Sequence, residues 1–190
     1  MTQKKSTAHK TTLHQKAQLM SASEIERTLV RLAHQILEKN GGIEGVGLVG
    51  IRRRGVPLAE RLGKMIHKVE KKNVPVGTLD ITFYRDDLST LGPKPVVQQK
   101  EIGFDIEGKK IVLCDDVLYT GRTTRAALDA LFSHGRPSQV QLLVLIDRGH
   151  RELPVEATFI GRTVQTTDNE VIEVKLTEID DAEKVLLMER

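Results

Sequence analysis

Tryptophan is absent, and two tyrosines and four phenylalanines leave aromatics at 3% of 190 residues. A surface that stacks unpaired bases on aromatic rings has little to work with here. Cysteine occurs once, at Cys114, which excludes an internal disulfide and a cysteine-based zinc site. That residue lies in an apolar run and reads as a small buried side chain. No apolar run approaches the ~20 residues that span a bilayer. The first residues are polar and basic without an apolar segment, unlike a secretory leader. A large excess of one charge sign is also absent: 29 Lys and Arg stand against 26 Asp and Glu, the net value is +3 and the isoelectric point about 9.0. That balance permits an anionic partner without demanding one. These absences lead to the expectation of a soluble cytoplasmic protein with no membrane partner. What is present, 39% apolar residues in 190, is enough for one α/β domain with a core.

The most informative stretch is Ile111–Thr124, IVLCDDVLYTGRTT. Ile111 to Cys114 suit a strand buried on both faces. Asp115 and Asp116 follow, then Thr120-Gly121-Arg122-Thr123-Thr124, and then apolar residues at helical spacing from Ala126 to Leu131. A helix N-terminus offers unpaired N–H groups and the positive end of a dipole, so it suits an anion. Threonine hydroxyls add donors, and Gly121 lets the backbone come close. Two carboxylates would repel a phosphate, so they must face something else, and sugar hydroxyls suit them. The stretch reads as a binder of a sugar carrying a terminal phosphate. The plain alternative is a strand, a turn and a helix with no ligand.

Elsewhere the chain alternates strands and helices with no repeat and no second domain. Residues 1–21 read as a disordered basic tail and 22–190 as the domain. Ser23 with Glu26 has the form of a capping box opening a helix. Its apolar stripe is Ile25, Leu29, Leu32, Ile36 and Leu37, and Gly41-Gly42 ends it. Residues 44–51 read as a buried strand. Gly45, Gly47 and Gly50 form G-x-G-x-x-G, but the glycines fall within the strand, so a dinucleotide fingerprint is rejected. Small residues there would instead allow close backbone approach. Arg52-Arg53-Arg54-Gly55 then stands at the strand's carboxyl end, with Pro57 at a helix start. Residues 76–84 alternate as a strand. Residues 88–103 lack periodicity and read as a mobile lid that excludes water. Residues 140–146 form another buried strand, ending in the polar stretch 147–154. Residues 155–176 suggest two short strands, and Val185, Leu186 and Leu187 a closing helix.

Four blocks, LVGIRRRGVPLAERL (48–62), TLDITFYRDDL (78–88), DDVLYTGRTTRAALDAL (115–131) and LIDRGHRELP (145–154), narrow the comparison. The chain resembles type I phosphoribosyltransferases, and within them the bifunctional pyrimidine operon regulatory protein/uracil phosphoribosyltransferase family, over about residues 22–190. The resemblance implies an α/β fold: a central, mostly parallel sheet flanked by helices, a small hood and a flexible active-site loop. It implies that uracil and phosphoribosyl pyrophosphate (PRPP) give UMP and pyrophosphate with Mg2+, and that UMP or UTP favours binding to pyrimidine-operon mRNA. It also implies a homodimer or higher homo-oligomer. Asp115, Asp116 and Arg85 would be catalytic. Arg53, Arg54, Val117, Leu118, Tyr119, Thr120, Gly121, Arg122, Thr123 and Thr124 would bind PRPP or nucleotide. Asp147 and Arg148 would frame the base. Arg31, His34, His150, Arg151 and Arg162 would meet RNA, although Val30 stands where the family pattern has a hydroxyl residue. No direct metal ligand is expected; magnesium would be held mainly by substrate, with Asp115 and Asp116 nearby. Two other readings remain: a salvage transferase without RNA regulation, and a nucleotide-sensing regulator with little turnover.

Overall fold

A computed structural model describes residues 13–84 and 102–190. Five parallel strands form the main sheet in the order β3-β2-β4-β5-β6: β2 is Val46–Ile51, β3 Val76–Leu79, β4 Lys110–Leu118, β5 Gln139–Asp147 and β6 Phe159–Thr163. The central strands are apolar on both faces because both are covered. On one side lie α1 (Ala22–Asn40) and α2 (Gly55–Glu70), whose Ile25, Leu29, Leu32, Ile36, Leu58, Leu62 and Ile66 are fully buried with Leu48 and Cys114. On the other lies α3 (Arg122–Phe132), packing Ala127 and Leu131 with Ile51, Leu113 and Val144.

The chain runs from β2 outward to β3 and then crosses back to β4 on the other side of β2. The sheet order therefore reverses between the carboxyl ends of β2 and β4, the crevice where open α/β sheets bind ligands. Pairing of β2 with β4 ends at Gly50 opposite Cys114. Strand β4 continues to Leu118, so Asp115 and Asp116 stand at the brink of that crevice.

A separate antiparallel sheet, β1-β8-β7, is the hood: β1 is His14–Ser21, β7 Glu170–Lys175 and β8 Lys184–Glu189. The four-residue α4 (Thr177–Asp180) joins β7 to β8. Here the structure corrects the sequence reading twice. His14–Ser21 is not part of a disordered tail; it pairs along its length with β8. Its first five residues are exposed, so it shows no apolar pattern of its own. Val185, Leu186 and Leu187 lie in that strand β8 and not in a helix. Residues 1–12 of the expected tail lie outside the described residues. Three boundaries also shift. The N-cap of α1 is Ser21, whose N–H and hydroxyl both donate to Glu24 (2.8 and 2.7 Å). Helix α2 starts at Gly55, two residues before Pro57. The strand expected over 76–84 stops at Leu79 and gives way to a 3-10 turn at Thr82–Tyr84.

Candidate active site

Three backbone segments meet where the sheet order reverses, and glycines let them do so. A Cβ at Gly50 would come within 2.5 Å of Gly55 O and of Val56 Cα. A Cβ at Gly55 would overlap the Cys114 carbonyl oxygen. The turn Arg52–Arg54 is thus folded back over the tip of β2 and pressed against β4, one residue before the paired acids. Gly47 likewise lies too close to the Phe104 ring for a side chain. The close-approach reading of Gly47 and Gly50 holds; Gly45, by contrast, is a turn residue at φ 71° with open space around it. The Arg52–Arg53 peptide is cis. Arg52 and Arg53 are exposed, and Arg54 is half-buried.

Asp115 is 8% exposed and its Oδ1 accepts the N–H of Asp116 at 2.9 Å. Asp116 Oδ1 accepts the N–H of Val117 at 3.0 Å. Burial pushes the Asp116 carboxyl above the ordinary carboxylate range, while its bond to Asp115 and the Arg54 charge pull the other way. A carboxylate kept crowded at a strand tip is costly, and such groups concentrate at functional sites.

Beyond the acids, Gly121 caps α3 at φ 92°, a left-handed conformation that favours glycine. Thr120 Oγ1 accepts the Arg122 N–H at 3.3 Å, and Thr124 is buried against the first turn. The polar stretch after β5 is built onto this loop. Glu152 and Leu153 N–H groups donate to Thr120 O at 2.9 and 3.0 Å, and Arg122 pairs with Glu152 at 2.6 Å. Arg148 N–H donates to Leu118 O at 3.1 Å. The loop at Thr120–Thr124 and the stretch 147–154 therefore form one wall, with the half-buried Val117 and the exposed Tyr119 between them.

Several basic residues singled out from sequence turn out to have scaffold partners. The Arg148 guanidinium is buried, lies 4.0 Å from the Tyr119 ring centre, and donates to Thr166 Oγ1 (3.1 Å) and Glu170 O (2.9 Å). Burial lowers its pKa below the usual arginine value. Arg151 pairs with Asp147 at 2.6 Å and donates to Val155 O and Tyr119 O. His150, at φ 57°, bonds Thr166 O through Nε2 at 2.6 Å. The side chains of 147–154 thus hold the stretch in place through ion pairs and hydrogen bonds within the protein. Arg31 and Arg162 lie together: Arg31 donates to Gly161 O at 2.5 Å, Arg162 to Leu19 O, and both line a groove with Met20, Glu24, Arg27 and Thr28. His34 is exposed one turn further along α1. Arg27 was not singled out, though residues 27, 31 and 34 share one helix face by spacing. Arg85 and most of the expected lid lie outside the described residues.

Two residues with direct bearing on the site were missed. Glu152 pairs with Arg122 at the start of α3, and Asp180 of α4 binds Arg54 through two bonds, Nη2–Oδ1 at 2.6 Å and Nε–Oδ2 at 3.1 Å. Neither has a local signal; the second pair is separated by 126 positions. Among the described residues no group of three or more His, Cys, Asp or Glu side chains gathers as a metal cage. Two hard carboxylates beside an anion loop nevertheless fit magnesium, which keeps its waters and takes oxygen ligands from a phosphorylated substrate.

An open parallel sheet with paired acids, a glycine-capped helix start and an arginine turn at one reversal point is the architecture of a phosphoribosyl transferase domain. The chain belongs to the phosphoribosyl transferase domain family, whose model matches residues 15–179. Among curated proteins it is 57% identical over 175 residues to the bifunctional protein PyrR of Thermus aquaticus, covering 92% of this chain and 97% of the relative. It is 58% identical over 165 residues to PyrR of Acetivibrio thermocellus, covering 87% and 90%. Solved structures support the fold. A Bacillus anthracis hypoxanthine-guanine phosphoribosyltransferase aligns with TM-score 0.66 at 20% identity, over 91% of this chain and 98% of that one. A Trypanosoma cruzi hypoxanthine phosphoribosyltransferase aligns with TM-score 0.70 at 16% identity, over 92% and 95%. Among the described residues no helix is long and apolar enough to cross a membrane.

Proposed function

We propose that the protein transfers the phosphoribosyl group of PRPP to uracil, giving UMP and pyrophosphate, and regulates pyrimidine genes by nucleotide-dependent binding to their mRNA. The observation that carries the reading is the meeting of the arginine turn and the Asp115–Thr124 stretch where the sheet order reverses. Kinship with the PyrR proteins supports both activities.

Thr120 to Thr124 hold the 5′-phosphate through hydroxyls and first-turn N–H groups. Asp115 and Asp116 accept hydrogen bonds from the ribose hydroxyls. Arg53, the exposed member of the arginine turn, meets the pyrophosphate, with the charge of Arg54 beside it. Asp147 and the Arg148 backbone frame uracil; the Arg148 side chain acts as a brace under Tyr119 and not as a ligand. Magnesium would be held mainly by the oxygens of PRPP and by water, with Asp115 and Asp116 nearby, and would neutralise charge on the phosphates. Catalysis rests on positioning and on stabilising charge as the bond at the sugar breaks. Arg85 keeps a catalytic assignment from the sequence alone. The active form is a homodimer or higher homo-oligomer.

For RNA, the groove between α1 and β6 presents Arg27, Arg31 and Arg162, with His34 beside it. These suit a phosphate backbone. Arg151, engaged by Asp147, is the least available of the proposed RNA contacts, and His150, in the middle of the stretch 147–154, is bonded to Thr166 O. A gel-shift titration against a pyrimidine-operon leader stem-loop tests the regulatory half. Retardation that strengthens with UMP is expected. No shift even at low salt would leave a salvage transferase only.

A further inference from the structure

We propose that Asp180 is a positioning residue for the pyrophosphate side of the site, acting through Arg54. The inference rests on the transferase reading given above. Arg54 is the N-cap of α2 and lies in the arginine turn, yet its guanidinium points at the hood connection and not into open solvent. Two N–H groups donate to the two oxygens of Asp180, the fork geometry that fixes orientation as well as distance. Asp180 is itself fixed, because its Oδ2 also accepts the Leu176 N–H at 3.0 Å. The two side chains are 30% and 17% exposed, so water competes only weakly for the pair.

The negative charge of Asp116 also acts on Arg54, more weakly than the Asp180 bond does. A long side chain beside a highly charged substrate would ordinarily sample many rotamers and lose that freedom on binding. Asp180 removes that freedom in advance. Arg54 is held at the border of the site, where its charge bears on Asp116 and on an incoming pyrophosphate, and exposed Arg53 is left to make the direct contact.

The same connection carries an internal control. Arg61, on the next turns of α2, pairs with Glu178 (2.6 Å) and Glu183 (2.5 Å) and donates to Thr177. It holds the same segment without touching the arginine turn. A merely structural role for Asp180 would make the two latches equivalent.

The test is steady-state kinetics of the full chain with uracil and PRPP, together with thermal melts. Asp180→Asn is expected to raise KM for PRPP about tenfold, with kcat changed much less. Asp180→Glu should recover part of that loss. Arg54→Met should resemble Asp180→Asn, and the double variant should be no worse than Arg54→Met alone. Arg61→Met should lower Tm while leaving KM within about twofold. A normal KM in Asp180→Asn, multiplying effects in the double variant, or an equal KM rise in Arg61→Met would each overturn the inference. Absence of turnover in the unaltered protein would overturn the transferase reading instead, and is read before any variant.

Discussion

Asp116→Asn is expected to lower kcat/KM about a hundredfold while leaving Tm unchanged or slightly higher. A charge-assisted hydrogen bond is worth about 1.5–3 kcal/mol, and the substitution removes the charge while keeping the shape. The amide oxygen of asparagine can still accept the Val117 N–H, so the strand tip keeps its local bond. What is lost is a carboxylate able to accept from both ribose hydroxyls. Stability should move the other way because burial raises this carboxyl in the folded chain. An acid with a raised folded pKa binds its proton more tightly folded than unfolded. Its ionisation therefore costs stability once pH rises above the ordinary carboxylate range, and the full cost persists above the raised value. The asparagine variant escapes that cost at neutral pH and gains nothing in acid. Kinetics and melts of the two proteins at pH 4 and pH 7 check both halves. Near-normal turnover would remove the diol role, and a clear loss of stability would make Asp116 a structural residue.

The second large effect is expected at Gly55. Alanine there would drive a methyl group into the Cys114 carbonyl oxygen, with Cys114 C at 3.1 Å and Asp115 Cα at 3.4 Å behind it. All three are main-chain atoms of a central strand, so no side-chain rotation can relieve the overlap. Overpacking of this kind costs about 3 kcal/mol, which corresponds to a Tm fall of roughly 6–12 °C in a chain of this size. The relief that does exist is to push the arginine turn away from β4. PRPP binding should therefore weaken along with stability, and calorimetric titration with PRPP would register it. A variant that melts normally and binds PRPP normally would show that the close packing of the two loops is not required.

Which parts of this were legible beforehand follows from the range of the interactions. The Ile111–Thr124 stretch could be read because its strand, glycine cap and helix are set by neighbours in sequence; the strand, however, runs on through both acids to Leu118, where pairing with β5 holds it. The buried stripe of α1 could be read for the same reason. The reversal of strand order between β2 and β4 could not, since nothing local tells β3 to lie outside β2. Strand β1 was missed because its stability comes from pairing with β8, almost the whole chain away, and not from an apolar pattern. The Val185–Leu187 run fits a helix or a strand equally well until a partner is known. Basic residues were the hardest to sort. Arg148 and Arg151 look like ligand-binding side chains in the sequence, whereas their guanidiniums brace a loop through bonds to Glu170 O and Asp147. A guanidinium that staples the scaffold and one that meets a substrate carry the same letter. Only the carbonyl or carboxylate that the fold sets beside it separates them.

The central claim is that the crevice between β2 and β4 takes PRPP and delivers its sugar to uracil. The most direct measurement is pyrophosphate release from PRPP and Mg2+ by the full chain, assayed in parallel with uracil, cytosine, hypoxanthine, guanine and adenine. Release with uracil alone, accompanied by stoichiometric UMP, is the predicted result. Release with a purine in preference to uracil, or none with any base, would contradict it.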